Sequence, residues 1–473
     1  MIAEHKLVDG ASLFTSALGN ILVGCPPEIL KEIITHSLPM PDTIVIPETL
    51  TRFHSSQANL EFPFYHFLFV QRGPERGKKF RVLAQKSACS DLENLLRVTL
   101  FGPDEKEIFK VEKELGIPEK LDRNKIKQIL KEIHFLYLKK EGKTIPLSDM
   151  VEFIPFEVGD EKVLYSTGNK ETDIRLKREG GDHFILQSGS KKLEAKINIE
   201  VPQNPVYKIT GKKVTQKEKK ASSVCNLRVL GASSGFDPTQ PANGYLFHFN
   251  GKWVAWDCPA YFQNHLEKIN LTIDDIDAIF ISHVHEDHLD PIEAISNNKK
   301  MAIYSSPEIY HSLLIKLQAM LQCSYKKAQD IFTYHPVYAN QPFDLFGAEA
   351  EVFYSVHALP TLGFKLVIKR ADNKESKILI SGDNLSQRAL KNLKDGGVMD
   401  AERLKEVSRI INEKEEFDLV FVDSGGGQIH GDPNDFFHSK YKIYHMHTNG
   451  PLLKLPQHQK LLKSGDFFEI HQD

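Results

Sequence analysis

Short apolar runs alternate with helical spacing along the N-terminal part of the chain. Residues 21–23, 43–46 and 80–84 are mainly apolar segments of strand length, and such segments predict buried β-strands. Two prolines open a predicted helix over residues 26–33, because proline is favoured in the first turn of a helix. Residues 91–100 also have helical periodicity. This alternation of strand and helix predicts an α/β layer structure.

The pattern changes after residue 100. Residues 104–143 are rich in charge and carry apolar positions at helical spacing, which predicts an amphipathic helix with a solvated face. Alternating positions over residues 151–199 predict strands and hairpins. Residues 211–223 are polar, unpatterned and rich in lysine, which favours a solvated linker over a basic patch for an anionic substrate.

A second set of apolar runs begins at residue 226. A hairpin is predicted where residues 245–249 and 253–257 flank Asn250-Gly251, because Asn-Gly suits the tight turn of a hairpin. Further apolar strands end at residues that can bind metals or transfer protons, namely His357, Asp383, Asp423 and His445. Any one of these strand ends would be ordinary, but their succession in one half of the chain favours a shared site.

Length and composition limit the classes of protein to consider. A chain of 473 residues is too long for one ordinary core, so two domains are expected. The formal net charge of −3 provides no global basic field that would recruit nucleic acid. The chain shows no secretory-signal pattern and no apolar run long enough to cross a membrane. Its five cysteines are scattered, which favours free thiols and a cytoplasmic location.

The most distinctive stretch is Ile-Ser-His-Val-His-Glu-Asp-His-Leu-Asp, at residues 281–290. Helical spacing would put His283 and His285 on different faces, whereas a loop at a strand end can aim several side chains at one point. Neutral imidazole nitrogens and carboxylate oxygens are the ligands that a zinc ion takes. The alternative, a surface loop that is rich in histidine by chance, is disfavoured by the H-x-H-x-D-H order at a strand end.

This order resembles the signature of the metallo-β-lactamase-fold hydrolases, over roughly residues 224–473. The resemblance implies a four-layer αββα fold in the C-terminal half and two divalent metal ions, with zinc as the first candidate and manganese or iron as alternatives. The ligands of the first metal would be His283, His285 and His357. Those of the second metal would be Asp287, His288 and His445, with His447 as the alternative to His445. Asp383 would bridge the two ions.

Roles other than metal binding are expected for Asp257, Asp287 and His430. Asp257, the last residue of the predicted hairpin, resembles the aspartate that lies behind the ligands in this family and would support one of them. Asp287 could also orient the hydroxide that two metal ions generate, or take its proton. His430, in a glycine-rich loop, is the candidate proton donor for the leaving group. A loop histidine bonded to backbone is the alternative for His430.

The resemblance favours a phosphodiesterase. Residues 357–364 are similar to a stretch in the ribonuclease Z-like and cyclic-nucleotide phosphodiesterase branch, and Asp383 suits that branch, whereas true β-lactamases carry cysteine there. A small phosphodiester or cyclic nucleotide ranks above tRNA, because residues 425–431 depart from the ribonuclease Z pattern. Thioester or lactone hydrolysis and a nucleotide-binding sensor without turnover are the alternatives. The expected partner is a nucleotide or another phosphodiester, RNA included; no membrane is expected, and the oligomeric state is left open.

The two halves of the chain share local motifs. Val23-Gly24-Cys25-Pro26 matches Trp256-Asp257-Cys258-Pro259, and residues 42–46 match residues 277–281. Residues 78–80 match residues 299–301 in the same order. These matches indicate an internal duplication. The alternative is that any two α/β segments look alike at this level.

The first copy would have lost its chemistry. Residues 47–53 stand where the second copy carries its histidines, and none of them is a histidine. His54 and His66 lie nearby without the required spacing. We therefore expect a degenerate metallo-β-lactamase-like domain without metal ligands over residues 1–210, a linker over 211–223 and a catalytic domain over 224–473.

Overall fold

The computed structural model describes residues 2–52, 55–169, 172–197, 204–219, 221, 225–369, 374–408, 416–427, 429–448 and 455–471. The chain divides into two compact units, each assembled from separate stretches of sequence. The first unit comprises Met1–Arg97, Leu138–Val206 and Ile315–Ala328. The second unit comprises Val98–Tyr137, Tyr207–Leu314 and Gln329–Asp473. Three helices continue across these limits: Lys86–Phe101, Pro307–Leu321 and Tyr325–Gln329.

The first unit is built on two sheets that enclose one core. A six-stranded sheet has the order Ala3–Lys6, Ser12–Thr15, Asn20–Val23, Thr43–Val45, Phe80–Ala84 and Val151–Pro155. A four-stranded antiparallel sheet has the order Glu161–Tyr165, Ile174–Gly180, His183–Ser188 and Lys191–Lys196. Apolar residues of both sheets pack in one cluster, including Phe14, Val45, Leu176 and Phe184. The helices of this unit include Ile29–Thr35, Glu61–Tyr65 and Leu147–Met150.

The second unit contains two seven-stranded mixed sheets. The order in one sheet is Thr333–Pro336, Ala302–Ser305, Ala278–Phe280, Lys252–Trp256, Gly244–Phe249, Cys225–Gly231 and Phe467–His471. The order in the other sheet is Phe343–Leu345, Ala348–Tyr354, Leu362–Lys369, Glu375–Ile380, Leu419–Asp423, Ile443–Met446 and Gln459–Leu461. Rings join the two sheets: Trp256 lies 5.0 Å from Phe364, and Tyr245 lies 5.4 Å from Phe421, between ring centroids. The buried faces therefore form the core of this unit.

The helices of the second unit include Glu105–Leu115, Arg123–Leu136, Gln216–Lys219, Phe262–Lys268, Gln387–Asp395 and Ala401–Val407. None of the helices in the described part of the chain is long and apolar enough to cross a membrane. None of the five cysteines, all of which lie in the described part of the chain, forms a disulfide bond. The predicted α/β class is confirmed.

The six-stranded sheet of the first unit repeats the pairing pattern of the first sheet of the second unit. In chain order, both begin with two antiparallel pairings and continue with three parallel pairings. The sheet of the second unit has one further antiparallel pairing, of Phe467–His471 with Cys225–Gly231. In each, the third strand leads into a seven-residue helix, Ile29–Thr35 or Phe262–Lys268. Each helix follows a residue with positive φ, Glu28 at 53° and Tyr261 at 60°.

Two predicted segments differ from the structure. Residues 104–143 form two helices, not one, because Gly116 adopts a φ of 70° after Leu115 and ends the first helix. The predicted solvated linker, residues 211–223, packs against the rest of the second unit in its described part. Val214 is buried and donates its backbone N–H to the Ile269 carbonyl over 2.8 Å. Phe53, His54 and residues 220, 222 and 223 lie outside the described residues.

Candidate metal centre

The H-x-H-x-D-H loop starts directly behind the parallel strand Ala278–Phe280. This strand lies between Lys252–Trp256 and Ala302–Ser305. Asp257 fixes the start of the loop, because its carboxylate accepts hydrogen bonds from the backbone N–H and the hydroxyl of Ser282, each at 2.8 Å. The loop then turns tightly, and the backbone N–H groups of His288 and Leu289 both donate to the carbonyl of His285. The turn brings alternate side chains to one side of the loop.

A first cluster consists of His283, His285 and His357. His285 Nδ1 lies 3.2 Å from the Nε2 atoms of both His283 and His357. Tetrahedral coordination at 2.0–2.1 Å would separate ligand nitrogens by about 3.3 Å. All three residues are buried. The donor atoms and their spacing therefore fit one zinc-sized ion.

The outward nitrogen of each histidine in the first cluster meets an oxygen. Ser282 Oγ lies 3.0 Å from His283 Nδ1, the Thr99 carbonyl 3.1 Å from His285 Nε2, and the Ile429 carbonyl 3.0 Å from His357 Nδ1. A carbonyl only accepts, so the facing nitrogens of His285 and His357 carry protons and the inward nitrogens keep their lone pairs.

Burial also keeps the first cluster neutral. It lowers the pKa of His283 and of His285 well below the usual value, and it lowers the pKa of His357 to about 4. Neutral imidazole is the form that binds a metal ion.

A second cluster consists of Asp287, His288 and His447, whose donor atoms also converge. His447 Nε2 lies 3.0 Å from Asp287 Oδ2. Asp257 holds the far side of His288, with 2.7 Å between Asp257 Oδ2 and His288 Nδ1. Burial opposes charge on His447, but Asp383 and Asp287 outweigh it and raise its pKa to about 9. Burial likewise opposes charge on Asp287, but His288 and His447 hold its pKa well below the usual value.

Asp383 lies between the two clusters. It follows strand Glu375–Ile380 after Gly382, whose φ is 61° and where a Cβ would meet the Leu362 carbonyl oxygen at 2.4 Å. No larger residue fits there, so this glycine sets the path of the chain into the site. The carboxylate of Asp383 is buried.

The surroundings of Asp383 supply a test of whether a metal fits. Five imidazole nitrogens lie 3.3–3.9 Å from its oxygens, on His288, His430, His447, His357 and His283. Neither oxygen has a hydrogen bond of good geometry within the described residues. A buried carboxylate without such bonds is costly unless a cation compensates it. The donor set therefore fits divalent ions.

His430 lies at the edge of the centre and is the most exposed of its histidines, with 17% of its side chain accessible. Its Nδ1 is 3.0 Å from Asp423 Oδ2 and 3.5 Å from Asp383 Oδ2. Its ring stacks on His447 at 4.2 Å between centroids. Gly425 permits this stacking, because a Cβ there would come within 3.0 Å of both rings.

His445, expected as the last ligand of the second metal, lies elsewhere. Its ring is held between Ser424 Oγ at 2.7 Å and Gln459 Oε1 at 3.0 Å. His447 follows the strand with a φ of 62°, and its backbone N–H donates to Ala232. This turn aims the ring of His447, rather than that of His445, at Asp287.

Some groups in the centre were given no specific role from the sequence. Asp423 ends an apolar strand, which was a usable signal, and it accepts the backbone N–H groups of Asn384 and Gly425 at 2.9 Å beside its contact with His430. The carbonyls of Thr99 and Ile429 have no signal in the sequence, because any residue supplies a carbonyl.

Known proteins resemble this chain in both sequence and fold. The family model described as "Anti-Pycsar protein Apyc1" matches residues 225–398. The cAMP/cGMP-dependent 3',5'-cAMP/cGMP phosphodiesterase B of Dictyostelium discoideum is 26% identical over an alignment of 457 residues that covers 87% of this chain and 40% of that protein. The Anti-Pycsar protein Apyc1 of Paenibacillus harenae is 25% identical over an alignment of 189 residues that covers 37% of this chain and 73% of that protein.

Among solved structures, the short form of human tRNase Z is 17% identical, with a TM-score of 0.37, and covers 52% of this chain and 99% of its own. The chain spans well under half the length of the Dictyostelium relative. The predicted fold class is confirmed. The chain thus resembles, in sequence, a cyclic-nucleotide phosphodiesterase and the Apyc1 family, in keeping with the resemblance of its metal motif to the ribonuclease Z-like and cyclic-nucleotide phosphodiesterase branch of the metallo-β-lactamase-fold proteins.

Proposed function

We propose that the protein is a metal-dependent phosphodiesterase that hydrolyses a cyclic nucleotide or another small phosphodiester. One observation carries this proposal: two clusters of buried ligand side chains flank the single carboxylate of Asp383. The similarity to a cAMP/cGMP phosphodiesterase supports the choice of substrate class. A cytoplasmic location belongs to the same proposal.

The proposed centre holds two divalent ions, zinc by preference. The first cluster binds one ion and the second cluster binds the other, with Asp383 between them. His447 takes the place that was expected for His445. When bound, the ions would neutralise the phosphate and lower the pKa of a water molecule so that it becomes a nucleophile at neutral pH.

The protein side chains orient and protonate the substrate. Asp287 is held by the backbone N–H of Gly235, which donates to Asp287 Oδ2 over 3.2 Å. It is therefore the group that orients the attacking water. His430, held at Nδ1 by Asp423, keeps its other nitrogen for the leaving alkoxide and donates a proton as the P–O bond breaks.

A substrate panel tests the proposed function. Protein loaded with zinc, manganese or iron is incubated with cAMP, cGMP, bis-p-nitrophenyl phosphate, a thioester and a lactone, and the products are separated by chromatography. Hydrolysis of the phosphodiesters is expected. Turnover confined to the thioester or the lactone, or metal-loaded protein without any turnover, would overturn the proposal.

Two histidine variants make the panel specific. His283→Ala removes a ligand of the first cluster and should abolish turnover. His438→Ala makes the same chemical change at an exposed position of the same unit and should keep wild-type turnover. Elemental analysis of the same samples should give about two metal ions per wild-type chain, as in two-metal hydrolases.

A further inference from the structure

We infer that residues 98–137, from the N-terminal half of the sequence, position the histidines of the first cluster and so set the affinity of one metal ion. This inference rests on the proposed metal centre but not on the substrate. The segment belongs to the second compact unit. It contains the end of helix Lys86–Phe101 and the helices Glu105–Leu115 and Arg123–Leu136.

The first contact of this segment orients His285. The carbonyl oxygen of Thr99 lies 3.1 Å from His285 Nε2, and Thr99 is fully buried. Thr99 is in the last turn of its helix, where carbonyls carry partial negative charge. The carbonyl therefore fixes the proton on Nε2, leaves Nδ1 for the ion, and makes this imidazole a stronger ligand.

A second contact supports the loop that carries His357. Gly102 follows the same helix with a φ of 71°. A Cβ at this position would lie 3.0 Å from Pro360 Cδ and 3.6 Å from Leu359 Cβ. The helix end therefore lies against the chain shortly after His357, where a larger residue would crowd Pro360 and would have to adopt a φ that favours glycine.

A third contact holds the strand that leads to His357. Glu132 accepts two hydrogen bonds of 2.9 Å from Arg403, and both side chains are buried. The same guanidinium donates to the carbonyl of Tyr354 over 3.0 Å. Tyr354 ends strand Ala348–Tyr354, three positions before His357. A bidentate pair of this kind fixes geometry as well as charge.

A contact within the segment stabilises the end of helix Lys86–Phe101. The hydroxyl of Tyr137 donates to the carbonyl of Phe101 over 2.7 Å, and the two rings lie 4.8 Å apart. Both histidines that the segment supports belong to the first cluster. Loss of these contacts should therefore lower the affinity for one ion more than the affinity for the other.

Two glycines provide a matched test. Gly102 and Gly116 both follow helices with nearly equal φ, 71° and 70°, but a Cβ on Gly116 meets nothing within 4 Å. Gly102→Ala and Gly116→Ala thus add the same backbone strain, and only the first disturbs the loop after His357. Tyr137→Phe removes only the hydroxyl that bonds the Phe101 carbonyl. It is the second test variant if Gly102→Ala does not fold.

The readout is metal affinity, measured by chelator competition, and the absorption spectrum of the cobalt-loaded protein. We expect Gly102→Ala to weaken one of two ions about tenfold to hundredfold, as losses behind a ligand do, while Gly116→Ala binds both as wild type does. Tyr137→Phe should weaken the same ion by a smaller factor. Equal affinities in the two alanine variants, or equal loss of both ions, would overturn the inference. Metal binding without phosphodiester turnover would instead overturn the proposed function alone.

Discussion

At the scale of single residues, His430 tests the proposed chemistry most directly. An alkoxide is a poor leaving group and needs a proton as it departs, whereas p-nitrophenolate leaves without one. His430→Ala should therefore slow hydrolysis of cyclic nucleotides about a hundredfold to ten-thousandfold. Its effect on bis-p-nitrophenyl phosphate should be much smaller. Steady-state rates on both substrates check this prediction.

The pattern of losses identifies the role of His430. Equal losses on the two substrates would assign it to binding or to structure, and no loss on either would remove it from the mechanism. Asp423→Asn is the companion variant, because Asp423 holds His430 Nδ1 at 3.0 Å. It should show the same substrate dependence in weaker form.

His447 and His445 should have separable roles. His447→Ala removes a donor 3.0 Å from Asp287 and should lower metal content. His445→Ala should keep wild-type metal content and lower the free energy of unfolding by about 1–3 kcal/mol, because Ser424 and Gln459 lose a buried partner. Elemental analysis and denaturant titration measure the two effects. Loss of metal from His445→Ala would contradict this assignment.

Residue types and spacing indicated most of the centre, but backbone conformation decided the rest. The motif that includes His283 and His285 places donors at one strand end, and the structure brings these donors together with His357 and Asp383. The choice between His445 and His447 depended on a positive φ at His447. That torsion arises from tertiary contacts and cannot be read from spacing along a strand.

At the scale of elements, strand Gly244–Phe249 contains a buried histidine outside the site. The ring of His248 stacks on Trp253 at 4.1 Å, and its nitrogens have no hydrogen-bond partner in the described part of the chain. Burial, and then the nearby Arg228, lower the pKa of His248 from 6.5 to about 4, although Glu218 and Asp277 oppose the shift. The folded protein therefore keeps this ring neutral.

This shift predicts an acid sensitivity with a defined sign. The pKa of His248 is lower in the folded protein than in the unfolded chain. The neutral ring therefore makes its full contribution to stability above pH 6.5, the ordinary pKa, and this contribution is lost as the pH falls towards 4. His248→Phe cannot take up a proton on unfolding. Relative to wild type it should gain about 1 kcal/mol of stability between pH 7.5 and 5, after allowance for solvent screening. Denaturant titrations at the two pH values check this, and a pH-independent difference would contradict it.

The strands were easier to predict than the helices. Residues 80–84 form a strand with the predicted bounds, Phe80–Ala84, and all of its residues except Arg81 are apolar, as suits a buried parallel strand. Helical periodicity over residues 104–143 was correct in type. Spacing alone did not reveal that Gly116 divides this stretch into two helices.

At the scale of the whole molecule, we propose that the repeated pairing pattern reflects an internal duplication whose first copy lost its metal ligands. Gly24, with a φ of 81°, stands where the second copy has Asp257, with a φ of 62°. The two backbone N–H groups make equivalent bonds, to Val45 and to Phe280. The first copy thus keeps the path of the chain without the carboxylate that supports His288.

The proposed duplication predicts where metal binds. A variant of the full chain with both His283→Ala and Asp383→Asn should retain almost no zinc, because all bound metal belongs to the second unit. Circular dichroism should be unchanged, since a catalytic centre contributes little to a core of this size. Zinc retained by the folded double variant would locate a site outside the proposed centre and contradict the prediction.

The membership of the two units was not predictable from the order of the sequence. Hydrophobic patterning favoured one boundary near residues 211–223, whereas residues 98–137 group with the second unit. The hydrophobic pattern of an element predicts which of its faces is buried, but it does not predict which other element covers that face. Contacts such as that of Glu132 with Arg403 join residues 271 positions apart, a separation that local patterns do not encode.

The support of His285 by Thr99 has a consequence for how the protein is made. These residues are 186 positions apart, and a ribosome adds about 5–20 residues per second. The helix end that holds His285 therefore emerges roughly 10–40 seconds before the histidine it will support. During that interval the carbonyl of Thr99 cannot make its contact with His285. The nascent chain thus completes its metal site by bringing back a helix synthesised long before.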